Sequence, residues 1–281
     1  MGEQGAPIGS TLVWRPDAAG SAGAFTAVEW CDPGQGGVAV ADSFRVVAGR
    51  ARGVALHRER FLAGAGHGAG PDELARAAAF WSDAISLLRS LVGAEHVHPA
   101  LFPRVERRER GEYRLLLRPS PPVAPGPGLA AITVATAESD PRRTPRIKGP
   151  DLERLAALRT RAQTRGADEA IIVDARGQLV EGAYSSLLIA RGGCLGLIAE
   201  PAPRIPSVTE RIVRDAARTQ QLAIDELSPT AAELAGGSLW VLSALHGVRA
   251  VDEWRDGPPL VRDADRDVWL YRVLGDATSP L

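Results

Sequence analysis

GADEAIIVDARGQLVEGAYSSLLIARGG, residues 166 to 193, is the stretch whose reading decides the fold. Its three apolar runs, EAIIVD, QLVEG and SSLLIA, have strand length and are separated by turn residues, so they read as successive short strands, and LGLIA (195 to 199) continues the series. Upstream, AITVAT (131 to 136) is an apolar strand-like run, and DLERLAALRTRAQTRG (151 to 166) is an amphipathic helix closed by Gly166. Downstream, a helix runs from Ser207 to about Gln221, SLWVLSALHGVRAV (238 to 251) is strand material, and a terminal helix follows. Strands interrupted by a few helices, in place of regular strand-helix alternation, imply an α+β domain.

The first half reads differently. PDELARAAAFWSDAISLLRSLVG (71 to 93) is a helix: Pro71 suits a first turn, Leu74, Ala77, Ala78, Trp81, Ile85 and Leu88 recur at helical spacing, and Gly93 ends it. From FTAVEW (25 to 30) through GVALH (53 to 57) the pattern is short extended runs broken by glycine, and EYRLLLR (112 to 118) is a strand. RPSPPVAPGPG (118 to 128) holds five prolines and two glycines and is the most linker-like segment. The expected division is a partly ordered Gly/Ala/Ser-rich tail over 1–24, a small α/β domain over 25–120, a linker over 121–128, and a larger α+β domain over 129–281.

Composition narrows the setting. With 281 residues, 45% of them apolar, the chain can bury a sizeable core, and its net charge of −1 points to neither nucleic acid nor an acidic membrane. Cys31 and Cys194 match no ligand-pair spacing, which argues against a disulfide scaffold or structural zinc and for a reducing cytoplasm. There is no signal-peptide pattern at the N-terminus and no run near the roughly 18 apolar residues of a membrane span. His96 and His98 could face one way on a strand but lack a third ligand, and GAGHGAG (64 to 70) is a flexible loop without the preceding strand of a dinucleotide fingerprint.

One residue stands out from this background. Lys148, in RTPRIKGPD (143 to 151), is the only lysine; the other 32 of the 33 basic residues are arginine. A lysine can lose its proton and attack a carbonyl to form a Schiff base, which arginine cannot do.

Lys148, a helix, and then the 166–193 stretch resemble the signature of the fold-type IV pyridoxal-phosphate enzymes: a lysine, a helix, G-x-D/E-E-A, a strand, D-x-x-G-x-x-x-E-G and a further strand. The family comprises branched-chain and D-amino-acid aminotransferases and aminodeoxychorismate lyase. The resemblance extends upstream to ADSFRVVAGRARGVALHRERF (41 to 61), which ends in H-x-x-R, and downstream to VTERIVRDAA and LWVLSALHGVRAV, covering roughly residues 36 to 252. It implies a two-domain, D-amino-acid-aminotransferase-like α+β fold, pyridoxal 5'-phosphate as cofactor, an amino acid or amine as substrate, and a homodimer.

Carried over residue by residue, the resemblance makes Lys148 the Schiff-base lysine and Glu181, 33 positions on, the carboxylate that pairs with the pyridine nitrogen. Arg60 of His57-Arg58-Glu59-Arg60 is the phosphate guanidinium, and Val208 and Thr209, at a helix start, offer the phosphate backbone amides and a helix dipole. Ser207 and Glu210 also spell an S-x-x-E capping box, which needs no ligand. Ser243 is a further phosphate donor, and Arg114, Arg118 and His246 are candidates for the substrate.

The sequence departs from the family at three places. Asp151 follows the lysine where many aminotransferases have a tyrosine nearby and the lyase branch has K-x-x-N-R; Glu210 stands where arginine is more frequent; and Ala244 lacks the hydroxyl of T-G-T-A. SALHGV is similar to the lyase pattern N-A-L-x-x-V. The resulting expectation is amino-group transfer from an amino acid to a 2-oxo acid. Elimination of pyruvate from aminodeoxychorismate is the alternative, and a non-catalytic binding relative a third.

Overall fold

The computed structural model describes residues 8–18, 22–28, 36–92, 100–123, 129–200 and 202–281. The chain divides into two units: the first comprises Met1–Pro122, Ile147–Pro150 and Thr278–Leu281, the second Val123–Arg146 and Asp151–Ala277. The division after Pro122 falls in the proline-rich segment, while 147–150 and the C-terminus belong with the N-terminal unit, so neither unit is one continuous stretch. Residues 124–128 of the linker, His96 and His98 lie outside the described residues.

In the first unit, β1 (Thr11–Pro16), β2 (Gly23–Ala27) and β3 (Val38–Ser43) are followed by the short strands β4 (Val46–Val47) and β5 (Arg50–Arg52). Helices α1 (Val54–Ala65) and α2 (Pro71–Val92) come next, then β6 (Ala100–Leu101), β7 (Arg104–Arg108) and β8 (Tyr113–Leu116). An antiparallel sheet runs β2-β1-β8-β7-β3, and a second runs from the C-terminal strand Thr278–Pro280 through β5 and β4 to β6. The unit's core is aromatic: Trp14, Phe44, Phe61, Phe80, Trp81 and Tyr113 are all buried, and the Phe80 and Tyr113 ring centroids lie 4.9 Å apart.

Two expectations fail here. The supposed tail contains β1, whose Leu12, Val13 and Trp14 are buried and which pairs with β8 about a hundred residues away, so its order comes from a non-local partner. GVALH is not an extended run but the entry to α1. Gly53 caps that helix in the left-handed region (φ 57°), and His57, Phe61 and Ala65 recur every fourth residue on its buried face. The GAGHGAG glycines start in the last turn of the same helix. Helix α2 forms as expected, with Ala77, Trp81, Ile85 and Leu88 buried, but Leu74 is exposed.

The second unit is built on one eight-stranded sheet. Its strands are β9 (Ala131–Thr136), β10 (Glu169–Val173), β11 (Leu179–Gly182), β12 (Ser186–Arg191), β13 (Cys194–Ile198), β14 (Asp225–Leu227), β15 (Ser238–Ser243) and β16 (Gly247–Arg255). They lie in the order β11-β10-β9-β16-β15-β12-β13-β14. Helices α3 (Leu152–Thr164), α4 (Val208–Thr219) and α5 (Ala264–Asp276) complete the unit. SLWVLSALHGVRAV folds as the β15-β16 hairpin, Ser243 pairing with Gly247 across the turn. The apolar runs of the 166–193 stretch are buried along nearly their whole length, which requires cover on both faces. Separate clusters supply it: Ile171, Leu187 and Ile189 pack with Leu239 and Val241, while Ala170, Ile172 and Val180 pack with Leu155 and Leu158 of α3.

Candidate active site

In the second unit the residues singled out in sequence gather at one edge of the sheet's connections. Glu181 lies at the end of β11, 4% exposed. The turn that follows is tight: the Gly182 amide donates to the Ser185 carbonyl at 2.7 Å, and a Cβ at Gly182 would collide with the Ser185 hydroxyl. One Glu181 oxygen accepts from Arg142 Nη1 and the other from the Ile205 amide at 3.3 Å. Burial pushes the Glu181 carboxyl up to about 7, and the Arg142 charge, opposing this, does not restore it.

Arg142 is not Glu181's alone. Its Nε donates to Asp140 Oδ1 at 2.8 Å and its Nη2 to Asp140 Oδ2 at 2.7 Å, a paired grip that leaves one guanidinium nitrogen for Glu181. The guanidinium-bearing side chain is only 1% exposed. Sequence reading passed over both Arg142 and Asp140, since among 32 arginines only the fold distinguishes this one.

The Ile205 amide ties Glu181 to the start of α4. Ser207 caps that helix, its hydroxyl accepting from the Glu210 amide at 3.2 Å and from the Ser186 hydroxyl at 2.8 Å. Val208 and Thr209 are buried in the first turn. Ser186 opens β12 opposite Leu242, next to Ser243, so the α4 N-terminus and the end of β15 share a neighbourhood. Ser243 Oγ accepts from the His246 amide at 3.2 Å, which holds the hairpin turn that carries His246.

Glu210 forms only half of a capping box. Its carboxylate is buried and accepts from Arg204 Nη1 at 2.6 Å and Nη2 at 3.1 Å, so the acid that would oppose an anion at this helix start is paired with a guanidinium. Asp151 also has a definite role: its Oδ2 accepts from the Arg143 amide at 3.0 Å and the Thr144 amide at 2.7 Å. It pins the backbone a few residues before Lys148.

In the first unit, Lys148 is anchored by its main chain. Its carbonyl accepts from the Ala41 amide of β3 at 2.7 Å. Gly149 has φ 145°, and a Cβ there would lie 2.7 Å from the Val40 Cα and 2.9 Å from the Ala41 nitrogen, so this passage against β3 requires glycine. The GPD after the lysine is thus a backbone device: Gly149 for close approach, Asp151 for the preceding turn.

Asp42 of β3 organises Arg60 of α1. Arg60 Nε donates to Asp42 Oδ2 at 2.8 Å and Nη2 to Oδ1 at 2.7 Å, while His57 Nδ1 lies 2.8 Å from Oδ1 and the Ser43 amide donates to it at 2.7 Å. Burial would raise the Asp42 carboxyl, but the Arg60 charge and then His57 hold it well below the usual carboxylate range. Burial depresses the His57 imidazole; Asp42 opposes this, and the charges of Arg60 and Lys148 add to it. Of the substrate candidates, Arg114 is 5% exposed and ion-paired with Glu112. Arg118 is half-buried, donating to the Phe102 carbonyl and to Ser43 Oγ, each at 3.1 Å. Among the described residues no His, Cys, Asp or Glu cluster could hold a metal ion, and no helix is long and apolar enough to cross a membrane.

A family profile described as amino-transferase class IV matches residues 39–254 of the chain. No curated protein matches it. Among solved structures, the chain is similar to a branched-chain aminotransferase from Thermoproteus uzoniensis with norvaline: 18% identity, 97% of this chain and 99% of that one covered, TM-score 0.74. It is similar to a hypothetical aminotransferase from Mycobacterium tuberculosis in a PLP-bound form, at 19% identity over 95% and 98% of the two chains, with a TM-score of 0.70. A putative 4-amino-4-deoxychorismate lyase from Legionella pneumophila is 13% identical over 88% and 97%, with a TM-score of 0.66.

Proposed function

The chain belongs to the class IV amino-transferase family, and from that premise we propose that it moves an amino group from an amino acid to a 2-oxo acid with Lys148 as the reacting amine. It is a pyridoxal-phosphate-dependent enzyme with the fold-type IV architecture expected from the sequence. When bound, the cofactor supplies an aldehyde for amine condensation and an electron-accepting ring.

The observation that carries the residue assignments is Glu181. A buried carboxylate held near 7, whose bonded guanidinium, Arg142, is shared with Asp140, is under-compensated. It suits a ring nitrogen that brings an N–H and a positive charge. On this reading the amides of Val208 and Thr209 and the Ser243 hydroxyl take the phosphate, at a helix start whose one acid, Glu210, is neutralised by Arg204. The family resemblance gives Arg60, oriented by Asp42, to the phosphate and Lys148 Nζ the transfer of the proton from the substrate carbon. Arg118 is the better carboxylate reader of the two strand arginines, because Arg114 is engaged by Glu112; His246 is a further substrate neighbour. We place the enzyme in the cytoplasm as a homodimer, on the family resemblance and the absence of a membrane-length apolar helix among the described residues.

A second reading, elimination of pyruvate from aminodeoxychorismate to give 4-aminobenzoate, draws support from Ser243-Ala244-Leu245-His246-Gly247-Val248, which departs from the aminotransferase pattern. The test runs the holoenzyme against a panel of amino donors, following the pyridoxamine form of the cofactor, and against aminodeoxychorismate, following aminobenzoate. Amino transfer at useful turnover is the expected result, and release of aminobenzoate in its place overturns it. Borohydride reduction should leave cofactor mass on the Lys148 peptide, and Lys148→Ala should lose the visible band and more than about a thousandfold in activity.

A further inference from the structure

The first unit gathers arginines that form no ion pair with a carboxylate among the described residues. β4 pairs with β5 through Val46 with Ala51 and Val47 with Arg50, and one step along the same antiparallel ladder Arg45 stands across from Arg52. β4 also pairs with β6, Val46 with Leu101 and Val47 with Ala100, so that step sets Phe102 on the other side of Arg45. The Arg118 guanidinium lies over the Phe102 ring, 5.0 Å from its centroid, and donates to Ser43 Oγ at 3.1 Å. Arg45 Nε donates to Ser120 Oγ at 3.1 Å, two residues beyond Arg118.

Like charges directly opposite on adjacent strands destabilise a sheet, and partial burial makes the repulsion worse. Burial and then the facing Arg45 depress Arg52; burial and then Arg104 push Arg118 down to about 10. The acid that acts on Arg118 is Glu106, and it is held by Arg104 at 2.8 Å and Arg108 at 3.1 Å. Among the described residues no acid pairs with Arg45 or Arg52. Arginines held against each other without counter-charge imply a ligand that brings the counter-charge.

We propose that Arg45, Arg52 and Arg118, with the hydroxyls of Ser43 and Ser120, bind a small dicarboxylate. Each guanidinium fork matches a carboxylate through paired N–H donors. Arg52 and Arg45 stand on adjacent strands, about 4.8 Å apart in a sheet, and Arg118 stands beyond β6, over the Phe102 ring, so the positive charge lies along a row. Two carboxylates on a short carbon chain match that row better than a single tetrahedral phosphate does. The site involves the first unit alone; through Arg118 it touches the substrate-carboxylate role given above, while Arg45 and Arg52 have no part in the transamination reading.

The test is titration calorimetry of the holoenzyme at fixed ionic strength with glutarate, butyrate and inorganic phosphate. Glutarate has neither amine nor oxo group and does not enter the amino-transfer reaction. It should bind saturably, with butyrate and phosphate at least tenfold weaker. Arg52→Met should weaken glutarate at least tenfold while the ligand-free protein melts at the same or a higher temperature, because a repelling charge is gone; a merely structural arginine would lower it. The cofactor's visible band should stay unchanged in that variant, which separates failure of this site from failure of the cofactor assignment. If Arg52→Met does not fold, Arg45→Gln, at the more exposed position, carries the same expectation. No saturable glutarate binding, glutarate binding unaltered in the variant, or phosphate binding as tightly as glutarate would each overturn the proposal.

Discussion

Asp42 and Glu181 are both buried carboxylates facing a guanidinium, and they come out on opposite sides of the ordinary carboxylate value. Asp42 takes two bonds from Arg60, and adds His57 and the Ser43 amide. Glu181 receives one bond from Arg142, whose other two donors are turned to Asp140, and one backbone amide at 3.3 Å. Burial alone therefore does not decide the charge state; the number of donors that reach the carboxylate does. A saturated carboxylate such as Asp42 can only hold its partner in place. An under-compensated one such as Glu181 has capacity for a ligand.

The sharpest way to break the comparison is to remove the saturated carboxylate. Asp42→Ala removes the carboxylate shared by His57 and the Arg60 guanidinium, which is 13% exposed. Loss of one partner of a buried ion pair costs about 3–5 kcal/mol, so denaturant unfolding of the variant should show a fall of that order. A loss below about 1 kcal/mol, in the range of an exposed surface pair, would mean that Asp42 is not the anchor of Arg60.

The contrast between these two carboxylates was only partly legible in the sequence. Lys148 stood out as the lone lysine, and Glu181 through the resemblance of the 166–193 stretch to the family signature. The strands of 166–193 were legible because fully covered strands are continuously apolar. Helix α1 was not, because Gly53-Val54-Ala55-Leu56 reads as an extended apolar run until His57, Phe61 and Ala65 are seen to share a face. β1 was hidden in a Gly- and Ala-rich stretch and gains its order from β8. Arg142 acts on a residue 39 positions away, and nothing local marks it among so many arginines. The role of Asp151, which looked like a departure in chemistry, belongs to the backbone of 143 and 144.

A second experiment tests the under-compensated side. With Glu181 at about 7 in the folded chain and 4.5 as its ordinary value, the folded protein holds a proton between those values that the unfolded chain releases. Stability of the cofactor-free protein should therefore be greatest below about pH 4.5 so far as this group is concerned, and should fall as pH rises to about 7. The fall is on the order of 3 kcal/mol. Glu181→Gln removes the titrating group, and its stability should lack that decline. Parallel pH profiles for the two proteins would show that Glu181 is ionised throughout and that the contrast with Asp42 is false.

The smallest effect tests why Glu181 is under-compensated. If Arg142 is a divided donor, Asp140→Asn should leave it more fully to Glu181 and also remove a nearby negative charge, so the Glu181 carboxyl should move down toward its ordinary range. The pH at which the cofactor-free protein's stability levels off should shift down by about one unit, a change of about 1.4 kcal/mol between the two protonation states. Asp140 also fixes the Arg142 side chain through both oxygens, and Asn keeps one carbonyl acceptor for that purpose, so the geometry has a partner in the variant. An upward shift would mean that Asp140 acts mainly by holding Arg142 in reach of Glu181. The two carboxylates would then form one cooperative cluster around the guanidinium, and competition between them would not be what sets Glu181 apart from Asp42.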